Sequence, residues 1–186
     1  MTDKIPKLTF EELPEKIAAQ LDAKYQRLGY LGEFFARTAH QPDALAAFND
    51  FTDAAKGALD LKTVELIALT VATMKDVAYE KNQHERLSVR KGYGRDWVME
   101  VEQLEPESAV LLDPVEKKIQ RFVIDAVEND GRSVTQRLDS VIDALGYENA
   151  LAVMLVMARY TSHSLLVNCM DIGPPVPSIF EDNFQG

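Results

Sequence analysis

Apolar residues recur along this chain at intervals of three and four, and no run alternates apolar with polar one by one. The first period lets a helix bury one face; a half-buried strand needs a period of two. Leu13, Ile17 and Leu21 set the first helix, with Thr9-Phe-Glu-Glu12 as a capping box ahead of it and Pro14 in its first turn. Gly29 interrupts the pattern, which resumes through Tyr30, Leu31, Phe34 and Phe35. Gln41-Pro42-Asp43 starts a helix carrying Leu45, Phe48 and Phe51, with Gly57 at its end. Asp60 then caps a strongly apolar helix containing Val64, Leu66, Ile67, Leu69 and Val71.

Thr73-Met-Lys-Asp76 is another capping-box pattern, so a helix is expected to restart there and run over about 76–91, closed by Gly92 and Gly94. A short helix over 97–104 leads into an acidic, proline-containing loop at 105–113, the one seam in the chain. Beyond it, Asp113-Pro114-Val115-Glu116 places an N-cap, a first-turn proline and an N3 glutamate in order. Ile119, Phe122, Val123 and Val127 continue that helix to Asp130-Gly131, and Ser133-Val-Thr-Gln136 opens one with Leu138, Val141, Ile142 and Leu145. The last helix, over about 147–168, is apolar almost all round and belongs at the centre of the core or at a subunit interface. Gly173-Pro174-Pro175 and Pro177 predict a tail lying extended over the surface. The expectation is an all-α chain of about eight helices forming a single domain over 1–186.

Composition narrows the function classes. An apolar fraction of 46% suits a folded globular protein. Lysine and arginine total 20 against 30 acidic residues, a formal charge of −10. That balance argues against nucleic acid and against an anionic membrane surface as partners. It also offers no help in attracting an anionic substrate. With Cys169 as the single cysteine, no internal disulfide and no cysteine-based zinc site can form. The start, Met1-Thr-Asp-Lys4, is not of signal-peptide kind, and the apolar stretch at 150–158 is too short to span a bilayer, so the cytoplasm is the expected setting.

Chemistry concentrates in Met74-Lys-Asp-Val-Ala-Tyr-Glu-Lys-Asn-Gln-His84. Glu80 and His84 are four apart and share a helix face, where a carboxylate can fix the imidazole tautomer and raise its pKa. Tyr79 is placed to line the same cleft. A solvated face carrying Lys81, Glu85 and Arg86 fits the pattern equally well. Glu65 is the only charged residue between Lys62 and Lys75. Either it is paired inside the core or it points to solvent in the first turns of its helix, where the helix dipole favours it. A straight helix from Asp60 to Lys91 would hold Glu65 and Glu80 ~22 Å apart, so cooperation between them needs the break at Thr73 to Asp76.

These residues carry a resemblance to the carboxymuconolactone decarboxylase and alkylhydroperoxidase (AhpD-like) family. In that family a helix with a glutamate precedes Cys-x-x-Cys-x-x-x-His on the next, which a glycine ends. Glu65 matches the glutamate, His84 the histidine and Gly92 the glycine, while Val77 and Glu80 stand at the two cysteine positions. Tyr79-Glu80-(x)3-His84 is similar to the form in cysteine-free relatives of the decarboxylase branch. The resemblance covers a motif core at 61–104, and a second helical half at 113–171 is similar to the paired helices that follow in the family. It implies a cofactor-free lyase or isomerase acting on a small lactone or unsaturated acid. His84 would be the general acid/base, oriented by Glu80, with Glu65 as a second proton carrier and Tyr79 and Val77 lining the substrate site. Subunits would pack as trimers or hexamers.

A two-thiol peroxidase would need a thiolate to attack peroxide and a partner to resolve the sulfenic acid, and neither Val77 nor Glu80 can serve. Cys169, in an apolar helix end, is expected to be buried and structural. His40 reads as a helix-end residue, and His163 could face a pocket from the last helix. Three separated histidines give no metal-ligand signature. Ser162 and Ser164 face away from His163 and form no triad with it. The rival expectations are a thiol-dependent antioxidant using partner thiols and a non-catalytic oligomeric binding protein.

Overall fold

The structure is a computed structural model describing residues 4–182 and 184–185. A 3-10 turn, Phe10–Glu12, precedes α1 (Glu15–Leu28), α2 (Glu33–Thr38), α3 (Pro42–Gly57), α4 (Leu61–Met74) and α5 (Ala78–Arg90). There follow α6 (Arg95–Gln103), α7 (Pro114–Glu128), α8 (Thr135–Leu145), α9 (Tyr147–Cys169) and α10 (Ile179–Asp182). No described residue is in a strand, so the chain is all-α as its periodicity predicts. Among the described residues the helices number ten rather than about eight, and α2 and α10 are the short ones, with 6 and 4 residues.

Local chemistry explains most boundaries. The Asp60 carboxylate accepts from the Thr63 amide at 3.0 Å and starts α4. Asp113 accepts from Val115 and Glu116 at 2.8 and 2.9 Å, while Glu116 reaches back to the Asp113 amide at 2.8 Å, completing the reciprocal box that starts α7. The box at Thr9 forms too, but it closes the 3-10 turn, and α1 begins only after Pro14.

The break before α5 falls where the sequence places it, by a different device. The Thr73 hydroxyl has no hydrogen-bond partner, so no capping box forms. Instead Asp76 adopts a left-handed conformation at φ 51°, and the Val77 amide bonds back to the Ala72 carbonyl at 2.9 Å. A short polar side chain tolerates that conformation better than a branched one. Serine does not cap α8 either: Ser133 is left-handed at φ 60° and Val134 is the boundary residue.

α4 is central. Residues 64–72 are all buried, and the helix packs against α5, α7 and α9. One apolar cluster surrounds it with Phe122, Val123, Val153 and Tyr160. A second, built from Ile17, Leu21, Phe34 and Phe35, lies under α1 and α2. α9 serves both clusters, through Val153, Val156 and Tyr160 in the first and Val167 in the second. At 23 residues with a hydropathy of 1.4 it could cross a membrane by length and composition, beyond what its apolar run suggests, yet half of that window is buried within the fold. Burial on this pattern is that of a core helix.

Two expectations fail at the C-terminal end. Cys169 is exposed, not buried, because α9 turns that side of its last turn outward. Nor does the tail lie extended over the surface. It folds back on α5: the Val176 and Pro177 carbonyls accept from Asn82 and Arg86 at 2.9 and 3.0 Å. Glu85 accepts from the Ser178 hydroxyl and the Ile179 amide at 2.6 and 2.8 Å, starting α10, and Ile179 is fully buried. The prolines forbid helix only up to Pro177, and α10 begins just past them.

Candidate active site

The candidate site forms where α4, α5 and α9 meet, with α1 and α3 on its open side. The turn at Asp76 brings α5 back along α4, so that Glu65 and His84, 19 positions apart, touch: His84 Nδ1 donates to Glu65 Oε2 at 2.8 Å. Glu65 is therefore paired inside the core rather than pointing to solvent. The Ser88 hydroxyl lies 3.5 Å from the same oxygen. With Nδ1 occupied as a donor, Nε2 is the nitrogen left for exchange.

Glu80 sits on the other edge of the ring. Its Oε2 is 3.6 Å from His84 Nε2 and 3.1 Å from Arg159, and its Oε1 is 3.4 Å from His163 Nδ1. The short, orienting contact to His84 thus comes from Glu65, and Glu80 faces the nitrogen that Glu65 leaves open. Arg159 is buried and also donates to the Thr52 hydroxyl at 3.2 Å. Tyr160 packs edge-on to His84, ring centres 5.2 Å apart.

Opposing effects set the charges. Burial works against an ionised Glu80, but His163, His84 and Arg159 together outweigh it and hold the carboxyl well below its usual range. Burial likewise opposes a protonated His84, yet Glu65 and then Glu80 raise its pKa above the ordinary 6.5. His163 goes the other way, lowered by burial to about 3, so at neutral pH it is uncharged and Arg159 is the permanent cation in contact with Glu80. Burial, with Glu80 beside it, also raises the Tyr79 phenol and keeps it neutral, its oxygen accepting from the Phe34 amide at 3.4 Å.

Two adjoining hollows open onto these groups. The larger, about 310 Å³, is bordered by His84, Glu80 and the cations Lys24, Arg27, Lys56, Arg86, Arg90 and Arg159. Among the described residues, Glu80 is the only acidic one on its wall. The net charge of −10 therefore misleads: apart from Glu80 the acidic residues lie elsewhere, and the hollow itself is locally basic. The smaller recess, about 30 Å³, is lined by Leu21, Leu31, Phe35, Tyr79 and His163 among others. Gly32 makes room for Tyr79, since a Cβ there would stand 2.6 Å from its hydroxyl.

Of the residues singled out in the sequence, Glu65, Glu80 and His84 are brought together and Tyr79 borders the recess. Val77 does not: it is buried in the apolar cluster under α1 and α2 and borders neither hollow. Its position just ahead of α5 turns it into the core. His163 does face the recess. His40 lies apart, its Nε2 3.0 Å from the Pro6 carbonyl. Sequence reasoning missed Arg159, Lys24 and Lys56. Arg159 had a signal, being the one basic residue in an apolar helix whose other charge, Glu148, sits in the first turn, and lying four positions before His163. Among the described residues, no cluster of three or more His, Cys, Asp or Glu could hold a metal ion.

Residues 42–104 match the family model described as the carboxymuconolactone decarboxylase family. Over that segment the chain is similar to the family. The matched segment includes Lys56, Glu65, Tyr79, Glu80 and His84, whereas Arg159 and His163 reach the site from outside it. Three solved structures share the fold of this chain. The debrominase Bmp8 in its apo form superposes with a TM-score of 0.81 at 16% identity, covering 95% of this chain and 94% of that one. Its cysteine-to-alanine variant in complex with 2,3,4-tribromopyrrole gives 0.79 at 16%, covering 93% and 92%. The AhpD core of an uncharacterized peroxidase-related protein from Ralstonia eutropha JMP134 gives 0.79 at 17%, covering 91% and 90%. No curated protein sequence matches the chain.

Proposed function

We propose that this protein is a cofactor-free acid/base lyase or isomerase acting on a small carboxylate-bearing lactone or unsaturated acid, with His84 as the proton-transfer group. The observation that carries this reading is the placement of His84. One nitrogen is fixed by Glu65 at 2.8 Å, and the ring borders a basic hollow of about 310 Å³. A group whose pKa lies near the working pH transfers protons in both directions most readily. Loss of CO2 from a β-carbonyl acid, or from a lactone acid whose double bond links the departing carboxylate to the lactone carbonyl, leaves an enolate or dienolate, and a protonated imidazole can quench it. Glu65 then acts as a positioning residue. Arg159, Lys56 and Arg86 attract the substrate carboxylate, and Glu80 keeps Arg159 in place until substrate arrives.

Thiol redox chemistry fits this chain less well. The debrominase and peroxidase-related neighbours share its fold, but Val77 and Glu80 occupy the family's cysteine positions, and Cys169 borders neither hollow. The resemblance further implies assembly into trimers or hexamers.

The test is a panel of γ-carboxylated lactones and unsaturated acids followed by NMR in D2O, which reports both CO2 loss and deuterium uptake. Turnover should fall by about 10²- to 10⁴-fold in His84→Gln, the usual contribution of a general acid/base. A variant with undiminished turnover would remove His84 from the mechanism.

A further inference from the structure

One group at the junction of the two hollows takes no part in proton transfer through His84. Lys24, on α1, borders both of them, whereas Lys56 borders only the larger. Its Nζ lies 4.2 Å from the centre of the Phe35 ring, and no ion pair between described residues involves it. The Phe35 face and nearby Glu80 favour the ammonium form, but a buried amine crowded by Arg159, Lys56 and Arg27 loses more by desolvation and like-charge repulsion than they return. Burial accordingly lowers its pKa to about 8, with Arg159, Lys56 and Arg27 acting in the same direction and Glu80 opposing.

We propose that Lys24 is a nucleophilic catalytic residue that forms an iminium ion with the keto group of a short-chain 3-oxo carboxylic acid. The shape of the site selects that class. Arg159 and Lys56 in the larger hollow receive the carboxylate, while the recess of about 30 Å³ takes a short chain end against Leu21, Leu28, Leu31 and Phe35, with Tyr79 and His163 on its polar side. A carbonyl between those two ends falls at the shared wall, where Lys24 stands. The inference rests on the proposed anion-binding hollow and deepens it.

The chemistry balances without an oxidant or reductant. The neutral amine adds to the keto carbon, and the carbinolamine loses its hydroxyl as water once His84 protonates it. The bond to the carboxylate then breaks, CO2 leaves, and its electron pair flows into the C=N bond to give an enamine. His84, reprotonated from solvent, delivers a proton to the enamine carbon. Water hydrolyses the resulting iminium, releasing the ketone and restoring Lys24.

Trapping tests the step directly. The full chain is incubated with acetoacetate and sodium cyanoborohydride, and the adduct is mapped by peptide mass spectrometry. The expected result is a reduced adduct on Lys24, suppressed by excess succinate and lost in Lys24→Arg. Because arginine keeps the positive charge, Lys24→Arg should retain the thermal shift that succinate causes in the wild type, which also shows that the variant is folded. An adduct centred on Lys56, spread evenly over surface lysines, or absent would overturn the assignment. Succinate separates the two readings. A succinate shift with no Lys24 adduct removes the lysine chemistry alone, whereas loss of both removes the anion-binding hollow as well.

Discussion

Glu65 Oε2 and His84 Nδ1 meet at 2.8 Å across the turn that joins α4 to α5, and this contact fixes which imidazole nitrogen is free. In Glu65→Gln the largest factor raising the His84 pKa disappears, so an NMR titration of the ring should show that pKa moving down. The sign of the stability effect follows. A histidine whose folded pKa is raised gives stability that is fully present below its unfolded value of 6.5 and lost as pH rises through the folded pKa. The pH-dependent part of the cost of Glu65→Gln should therefore be largest below 6.5 and vanish on the alkaline side. An unchanged titration would show that Glu65 does not control the ring.

Arg159 and Glu80 form a buried pair at 3.1 Å, and removing one member strands the other. Arg159→Met should destabilise the protein by about 3–5 kcal/mol in urea unfolding, the usual consequence of an uncompensated buried charge. Adding Glu80→Gln should return a good part of that loss. If the double variant is no more stable than Arg159→Met alone, packing of the guanidinium over Tyr160, 4.4 Å from the ring centre, is its main contribution.

The helices were legible because their buried faces are apolar, and α4 and α7 are the clearest cases. α5 is the opposite. It buries Glu80, Asn82, His84, Glu85 and Ser88, residues that hydrophobic patterning assigns to water. Only the i,i+4 spacing of Glu80 and His84, together with the isolated charge of Glu65, pointed to the site. Arg159 obeys the same rule as Glu65 and could have been found by it. Lys24 and Lys56 could not. They sit among other polar residues on α1 and α3, and only the packing of those helices over the site brings the two lysines to the wall of one hollow. The tail was misread because prolines forbid helix without saying where the chain goes, and it is Glu85 that captures it.

Glu102 supplies a pH test remote from His84. Burial, then the nearby Glu85, raises its pKa to about 8, against the opposing pull of Lys81 at 3.8 Å. A carboxyl raised in the fold favours the folded state most below its ordinary 4.5 and loses that contribution as pH climbs to about 8. Glu102→Gln removes the ionisation, so its melting temperature should exceed that of the wild type by several degrees near about pH 8 and match it in mild acid. Parallel melting curves across that range would mean that Glu102 ionises freely in the fold.

The outer side of α9 carries the last prediction. Tyr147, Leu151, Leu155 and Leu165 are all exposed, spaced so that they fall along one stripe. That stripe runs ~27 Å at 1.5 Å per residue. An apolar strip of such length on an otherwise acidic surface suits a second copy of the same helix, because burial of matching leucines needs no charge on either side. The trimer or hexamer implied by the family resemblance should then form through α9. Sedimentation velocity should show an oligomer for the wild type and a monomer for Leu151→Asp/Leu155→Asp, with unchanged helical circular dichroism. Those two side chains point away from the hollow, so the variant also asks whether assembly matters to the site. Persistence of the oligomer in the double variant would place the interface on another face.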